Sequence, residues 1–233
     1  MTNWDVALFK HLRHGSTRFE LDVQFTSTAK RLALFGPSGA GKTQVLKMLA
    51  GITRPERGHV RIAGLSLFDH RAGIDLPPRQ RRLGYVFQDY ALFPHLTVLQ
   101  NIGFALHAGW RNPARRGAPA PAARRWIEAF HLQGVVHHYP HQISGGQRQR
   151  VALARALVHE PAALLLDEPF AALDKALRQR LRGELHELQA ELRIPTLLIT
   201  HDDDDLRALA DDVVQMNAGR VVSGAGMLSV EAG

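Results

Sequence analysis

The sequence predicts an α/β domain built on a mainly parallel sheet, and three observations carry that prediction. Two short apolar runs, 162–166 and 196–200, have the continuous hydrophobicity of strands that are covered on both faces. Between them, leucines recur at helical spacing over 177–192. A third apolar run, 31–35, ends in a glycine-rich turn before a segment at 44–50 that is patterned as a helix. Strands that alternate with helices are typical of a parallel sheet with helices on its faces.

The turn after 31–35 matches the phosphate-binding pattern G-x-x-x-x-G-K-[ST]. Its glycines allow the backbone N–H groups to point inward at phosphate oxygens, and the helix that follows adds partial positive charge. Lys42 is long enough to reach the β- and γ-phosphates, and the Thr43 hydroxyl is suited to bind Mg²⁺. An ordinary glycine turn before a helix is the alternative, and the flanking strand and helix favour a nucleotide site. The predicted phosphate-binding residues are Gly36, Pro37, Ser38, Gly39, Ala40, Gly41, Lys42 and Thr43.

Length and composition restrict the class of protein. The 233 residues suit one large domain or a domain with an inserted subdomain, and without cysteine the sequence contains no disulfide or thiolate metal site. The net charge of +7 admits nucleic acid, anionic lipid or an acidic protein as partner, with a solvated arginine-rich surface as the alternative. Arg79, Arg81 and Arg82 form a basic cluster, without the interleaved aromatic residues of single-strand binding. No apolar run reaches the length of a membrane span and no signal-peptide pattern opens the chain, so we expect any membrane spans to come from another chain.

Further strands are predicted on either side of the phosphate loop. Segments 5–9 and 19–25 are predicted strands, and apolar and polar side chains alternate in the second, as in an antiparallel sheet with one solvated face. Residues 59–64 predict another strand with a turn. The segment 83–87 predicts a strand that ends just before Gln88.

Residues 96–140 differ in character, because apolar residues fall there at helical spacing around a loop rich in Pro, Ala and Arg. The sheet pattern resumes afterwards, so we expect an inserted α-helical subdomain within a single domain over 1–233. The predicted core, with an antiparallel β subdomain, is 1–95 and 141–233. Just before the insertion, Tyr90, Leu92 and Phe93 are predicted to form an exposed apolar partner site, with core packing as the alternative; these three residues stand in the segment 88–96.

Two carboxylates follow the apolar run 162–166. Ligands of open parallel sheets bind beyond the carboxyl ends of the strands, and consecutive strand residues point to opposite faces. Asp167 is therefore suited to the metal shell with Thr43, and Glu168 to a water molecule as general base or positioning group. An acid pair at a helix N-terminus is the alternative.

A second candidate phosphate cradle opens the helix after residue 143. Ser144 is suited to cap that helix, and Gly145 and Gly146 leave backbone amides open to a phosphate. A simple N-cap is the alternative. One nucleotide rarely needs two cradles from the same chain, so the pair of them calls for a further explanation.

Taken together, these motifs resemble, in their order along nearly the whole chain, the ATPase subunits of ABC transporters. The set consists of the phosphate loop, Gln88, Ser144-Gly145-Gly146-Gln147, the run 164–168, the segment 172–174 and His201 after the run 196–200. The resemblance implies a P-loop NTPase fold, ATP and Mg²⁺ as ligands, and a head-to-tail homodimer with ATP between the subunits. It also implies transmembrane permease subunits and, indirectly, an extracytoplasmic substrate-binding protein. The expected location is the cytoplasmic face of the cell membrane, with no nucleic acid as partner.

The resemblance also implies roles for single residues. Ser144, Gly145, Gly146 and Gln147 would hold the γ-phosphate of ATP bound by the partner chain, which accounts for the second cradle. Gln88 would join the Mg²⁺ and water shell, and His201 would contact the γ-phosphate. Asp174 would cross the dimer interface. Glu168, His201 and Gln88 are thus the predicted catalytic residues, and Thr43, Gln88 and Asp167 the predicted metal residues.

Within this family, the segments 76–78, 81–89 and 92–96 look most like molybdate importer ATPases, with importers of sulfate and other oxyanions close. The chain departs from the family where an aromatic ring usually stacks on adenine, since residues 12–15 hold none; His14 and Phe19 are the substitutes that we considered. It also ends before the oxyanion-sensing domain that such ATPases often carry.

The alternatives are a soluble ABC ATPase acting on nucleic acid or ribosomes and a P-loop small-molecule kinase. The second cradle argues against the kinase, because a kinase does not need a composite dimer site.

Overall fold

The computed structural model describes residues 2–14, 17–106, 112–113, 117–171, 173–192 and 194–224. Its strands form one sheet of eleven in the order β6-β5-β4-β1-β2-β11-β10-β3-β9-β8-β7. The strands are β1 (Trp4–His14), β2 (Thr17–Ser27), β3 (Arg31–Phe35), β4 (Arg57–Ile62), β5 (Leu65–Asp69), β6 (Ile74–Asp75), β7 (Leu83–Val86), β8 (Ala163–Asp167), β9 (Thr196–Thr200), β10 (Asp212–Asn217) and β11 (Arg220–Gly224).

One half of the sheet is parallel, as predicted. Strands β7, β8, β9, β3 and β10 pair in parallel, and every residue of β8 and β9 is buried. Their continuous apolar sequences follow from this position, because both faces of the strands are covered by apolar cores. The α/β fold class predicted from the sequence is confirmed.

The other half is antiparallel. Strand β1 pairs with β2 along its whole length, and on its other edge residues 4–9 of β1 pair with β4. Strand β4 pairs in turn with β5. In β2, Leu21, Val23 and Phe25 are buried and the side chains between them are exposed, so the alternation in the sequence does mark one solvated face. The two halves meet through β11, which pairs with β2 in parallel and with β10 antiparallel. The sequence analysis did not predict β5, β6, β10 or β11.

The described part of the chain contains six α-helices. They are α1 (Lys42–Leu49), α2 (Val98–Gly103), α3 (Pro121–Ala129), α4 (Gly145–Leu157), α5 (Lys175–Leu192) and α6 (Asp203–Leu209). Helices α2 and α3, with short 3₁₀ turns, occupy the predicted helical subdomain, and both pack against α4. Helix α4 also packs on β7. None of the described helices is both long and apolar enough to span a membrane.

The two faces of the sheet support separate apolar cores. Leu164 and Leu166 of β8 belong to the core that α2–α5 cover, while Leu165 belongs to the core of α1, β1 and β2. Since neighbouring strand residues point to opposite faces, one strand holds both layers together. The carboxyl end of β8, where Asp167 lies, is thereby fixed from both sides.

Two surface expectations are corrected by burial. Arg81 is only 1% exposed and donates from Nη1 to the carbonyls of Met48 and Leu49 at the end of α1, 2.8 Å each, so it is not part of a basic surface. A cation satisfies the last carbonyls of a helix and complements its dipole. Tyr90 is likewise buried, and its hydroxyl donates to the Pro169 carbonyl at 3.4 Å. For Tyr90, core packing was the correct alternative.

Candidate nucleotide-binding and hydrolysis site

The phosphate loop joins β3 to α1 in a conformation that needs glycine. A Cβ atom on Gly36 would lie 2.1 Å from the Met216 carbonyl oxygen of β10. Gly41 is the N-cap of α1 with a φ of +95°, in the left-handed region that other residues avoid. No side chain caps α1. Its first N–H groups are therefore left to a ligand, as in other helix termini that bind anions.

Lys42 is held inside this loop. Its Nζ donates to the carbonyls of Gly36 and Pro37 at 2.7 and 2.9 Å, and the residue is 4% exposed. An ammonium group has three donors, so after these two contacts one N–H is left for a phosphate oxygen. Burial lowers the pKa of Lys42, although the nearby Glu168 and Asp167 act in the opposite direction. Because burial disfavours the charged form of Lys42, the negative charge of a bound phosphate would stabilise its ammonium group.

Thr43 and Asp167 meet at the start of α1, as the sequence analysis expected of a metal shell. The Thr43 hydroxyl donates to Asp167 Oδ1 at 3.0 Å, and the Tyr85 hydroxyl donates to Oδ2 at 3.1 Å. Burial raises the pKa of Asp167, partly offset by these two hydrogen bonds. Two oxygen atoms of different side chains, one of them a buried carboxylate, suit Mg²⁺, which prefers oxygen ligands.

Tyr85 was not predicted as a site residue. It lies on β7, which pairs with β8 in parallel so that Tyr85 is opposite Leu165, two residues before Asp167. The available signal was a tyrosine hydroxyl on an otherwise apolar strand just before Gln88. The partner of this hydroxyl, Asp167, is 82 residues away in the sequence.

Glu168 and His201 lie side by side at the ends of β8 and β9. His201 Nδ1 is 3.2 Å from Glu168 Oε1, within hydrogen-bonding distance. Glu168 has a φ of +44°, and its N–H donates to the Ile199 carbonyl at 3.0 Å. A non-glycine residue in the left-handed region costs free energy that the surrounding structure must offset, which is frequent at functional sites. The two carboxylates have different partners, since Asp167 accepts from Thr43 and Tyr85 while Glu168 contacts His201.

One cavity of about 540 Å³ lies over the phosphate loop, and Asp167, Tyr85 and His201 are not among the residues that line it. Its walls include Gln88, Glu168 and the loop from Ser38 to Thr43. Leu12, Arg13 and Phe19 also line it. Phe19 is thus the aromatic residue of the described chain that lines this cavity, whereas the side chain of His14 and residue Gly15 fall outside the described residues.

Ser144, Gly145, Gly146 and Gln147 do not line this cavity. Ser144 caps α4 in a closed capping box: its Oγ accepts from the Gln147 N–H at 3.2 Å, and Gln147 Oε1 accepts from the Ser144 N–H at 2.9 Å. Asp174 is exposed before α5, and Ala172 of the same motif lies outside the described residues. The predicted site residues therefore fall into two groups, of which one surrounds the phosphate loop.

The chain was compared with known proteins. The family described as ABC transporter matches residues 21–171. The molybdenum import ATP-binding protein ModC of Brucella abortus is 43% identical over 215 residues, which are 91% of this chain and 57% of that protein. The sulfate/thiosulfate import ATP-binding protein CysA of Vibrio vulnificus is 43% identical over 217 residues, 92% of this chain and 60% of that protein.

Solved structures give the same result. A dimeric structure of the ATP-binding cassette MJ0796 in a post-hydrolysis state, bound to ADP and Pi, aligns with a TM-score of 0.76 at 28% identity, over 96% of this chain and 97% of that one. The chain spans about 57% of the length of the ModC protein that it matches. The family match covers more than half of the present chain, and the fold agrees with it. This chain belongs to the ABC transporter family.

Proposed function

We propose that this chain is the ATP-binding and ATP-hydrolysing subunit of an ABC importer. The observation that carries the proposal is the single cavity in which the phosphate loop, Gln88 and Glu168 come together, with His201 in contact with Glu168. Binding and positioning groups for a triphosphate thus lie beside a carboxylate that is able to accept a proton from water.

The reaction is the transfer of the γ-phosphoryl group of ATP to water, giving ADP and phosphate. Lys42 and the open N–H groups of α1 hold the phosphates, and Thr43, Asp167 and Gln88 would hold Mg²⁺, which neutralises charge on the phosphate oxygens when bound. Glu168 accepts a proton from the attacking water, and His201 contacts the γ-phosphate. Most of the rate enhancement then comes from position and charge rather than from covalent chemistry.

We further propose that two copies form a head-to-tail dimer with ATP between them. The segment 144–147 does not line the cavity of its own chain, and a cradle on an exposed helix start is available to a partner. Relatives of this family have been solved as dimers. In this arrangement Ser144–Gln147 of one copy would contact the γ-phosphate bound by the other, and Asp174 would lie at the interface.

The proposed cargo is molybdate or a related oxyanion such as sulfate. The curated relatives named above are import proteins for molybdenum and for sulfate or thiosulfate, at the same 43% identity. The complete importer would contain permease subunits in the membrane and an extracytoplasmic substrate-binding protein, with this chain on the cytoplasmic face.

An apolar surface beside the Gln88 segment is the proposed contact with the permease. Phe104 and Leu106 are each 40% exposed, and the Phe104 ring lies 4.5 Å from the ring of Phe93. Exposed apolar groups that adjoin one another mark interaction sites. Replacing Phe104 with Glu should abolish uptake of radiolabelled oxyanion by the assembled importer and leave ATP binding unchanged; loss of both would indicate a structural role.

The composite site is tested with Glu168→Gln, which keeps the shape of the side chain and removes its basicity. Loss of a general base should slow hydrolysis by about 10²- to 10⁴-fold while ATP still binds. Because uncleaved ATP stabilises the closed dimer, the variant should elute as a dimer with ATP and as a monomer without it. Adding Ser144→Arg should remove the dimer but keep one ATP site per chain. A protein that stays monomeric with ATP, also when the permease subunits are present, would contradict the sandwich.

A further inference from the structure

Ion pairs tie the segment that carries His201 to helix α5. Arg178 Nη1 donates to Asp202 Oδ2 at 2.9 Å, and Arg182 Nε donates to Asp205 Oδ1 at 2.7 Å. Arg178, Arg182 and Asp202 line a groove between α5 and α6, and none of them lines the phosphate-loop cavity. Asp205 is 4% exposed and buried, so its pair with Arg182 is less screened by salt than a surface ion pair.

The same carboxylates fix the backbone on both sides of His201. The Thr200 hydroxyl donates to Asp205 Oδ2 at 2.9 Å and accepts from the Asp202 N–H at 3.1 Å. Asp202 Oδ1 accepts from the N–H groups of Asp204 and Asp205 at 2.9 and 3.2 Å. His201 stands between Thr200 and Asp202, so this network sets the direction in which its ring leaves the backbone.

Helix α5, which carries Arg178, begins directly after Asp174. Asp174 Oδ1 accepts from the Leu177 N–H at 3.0 Å, and the Asp174 carbonyl accepts from the Arg178 N–H at 2.9 Å. Asp174 and Arg178 are thus the two ends of the first turn of α5. A helical turn transmits displacement with little deformation, because its hydrogen bonds and packing keep its length constant.

We propose that Arg178 is a positioning residue for hydrolysis: through Asp202 it holds His201 beside Glu168, and the first turn of α5 links that position to Asp174. The link to the partner chain rests on the proposed dimer, whereas the effect on His201 within one chain does not. Arg178 touches neither the cavity wall nor Glu168, and acts only through its contact with Asp202.

The direct test is Arg178→Gln in the full chain, measured by steady-state ATP hydrolysis. Misplacement of His201 should lower kcat about tenfold, since small errors of position at a reacting centre are costly, while KM for ATP stays within about twofold. The matched control is Arg180→Gln on the same helix, because Arg180 is 71% exposed and pairs only with Glu184 among its described contacts. The control should keep both constants.

A double-mutant cycle separates positioning from general stability. If Arg178 acts through His201, then Arg178→Gln should have no further effect on kcat in a His201→Ala background. Equal losses in the two backgrounds would overturn the proposal, as would an unchanged kcat. If Arg178→Gln does not fold, Asp202→Asn probes the same contact from the other side and should give the same non-additivity.

The dimer is tested separately in the same samples. The proposed function requires that Glu168→Gln form a dimer with ATP, and this requirement does not depend on the kcat of Arg178→Gln. If that dimer forms and the cycle is additive, only the positioning role fails. If Glu168→Gln with ATP remains monomeric, the proposed sandwich fails, while the cycle still decides whether Arg178 acts on His201.

Discussion

Helices α1 and α4 both begin at a glycine-containing segment that is predicted to bind phosphate, yet their first turns are completed in opposite ways. Helix α1 begins at Gly41, with no side chain as its cap. Helix α4 begins at Ser144, whose hydroxyl and the Gln147 amide close a capping box. The first start lies inside a cavity, and Ser144 is exposed.

The difference indicates how each start is stabilised. The start of α1 depends on distant parts of the chain, because Met216 crowds Gly36 and Asp167 binds Thr43. It keeps N–H donors for a ligand. The start of α4 satisfies two of its donors, the Ser144 and Gln147 N–H groups, through its own side chains, so its capped turn does not depend on distant parts of the chain. Mutations in the two starts should consequently have different effects.

The largest effect is expected at Lys42. Lys42→Ala removes the buried ammonium group, and a charge-assisted hydrogen bond is worth roughly 1.5–3 kcal/mol, so ATP affinity should fall by about 10- to 150-fold and turnover should cease. Equilibrium binding of a fluorescent ATP analogue measures the first effect and phosphate release the second. Lys10→Ala is the control, since Lys10 Nζ binds only the Arg54 carbonyl among its described contacts. Near-normal hydrolysis by Lys42→Ala would refute the site.

The corresponding change in α4 is Ser144→Ala, and its expected effect is on stability. Loss of the N-cap should lower the free energy of unfolding by about 1 kcal/mol, measured by urea denaturation. Binding of ATP to the monomer should be unchanged because Ser144 does not line that cavity. A loss of nucleotide affinity in the monomer would remove the contrast between the two helix starts.

A smaller effect is expected from Tyr85→Phe, which removes one hydrogen bond to Asp167. A typical net hydrogen bond is worth about 0.5–1.5 kcal/mol, so the Mg²⁺-dependent gain in nucleotide affinity should shrink roughly threefold. Affinity measured in EDTA should not change, because Lys42 and the α1 N–H groups remain. An equal loss with and without Mg²⁺ would place the effect on the fold instead.

The smallest effect is expected below the phosphate loop, where Arg31 of β3 pairs with Asp211. The hydrogen bond from Arg31 keeps the pKa of Asp211 below its usual value of 3.8. The folded protein thus binds this proton less readily than the unfolded chain, and the pair stabilises above about pH 4 and ceases to do so as the pH falls through the lowered pKa. Both side chains are partly exposed, so Asp211→Asn should cost less than about 1 kcal/mol at pH 7. The difference in Tm from the unmodified protein should shrink as the pH falls below about 4 and through the lowered pKa of Asp211; a constant difference would contradict the pairing.

Local patterns predicted the parts of the fold whose signal is contained in a few neighbouring residues. The runs 31–35 and 196–200 agree with β3 and β9, and the helix stripe 177–192 lies within α5. The strand and turn predicted at 59–64 correspond to the end of β4 and to the turn at Ala63 and Gly64, where φ is positive, and the strand begins two residues earlier, at Arg57.

The missed elements carry weaker local signals. Four consecutive aspartates hide the start of α6, and only the structure reveals that Asp202 caps it. In β10 only Val214 and Met216 are buried, too few for a clear alternation. Strand β10 also pairs with β3, which is far away in the sequence.

The residues of the site likewise divide into those that a local sequence pattern predicts and those that only the structure reveals. The phosphate loop and the pair Asp167 and Glu168 have local sequence patterns, and the structure places their side chains as neighbours. Tyr85 and Arg178 have none, because their roles depend on contacts with residues 82 and 24 positions away. The left-handed turn at Glu168 is likewise invisible in the sequence, since nothing about a glutamate announces a positive φ.

The order of strands has a consequence for the chain as it leaves the ribosome. Among the described strands, β3, which ends at the phosphate loop, pairs with β9 and β10 alone, and the Gly219 N–H donates to the Ala40 carbonyl inside that loop at 3.1 Å. A nascent chain that has emerged only as far as α5 therefore lacks both neighbours of β3. The closing contacts span long stretches of sequence, which slows their formation. We expect a nascent chain to gain affinity for ATP only after β10 and the turn at Gly219 have left the exit tunnel.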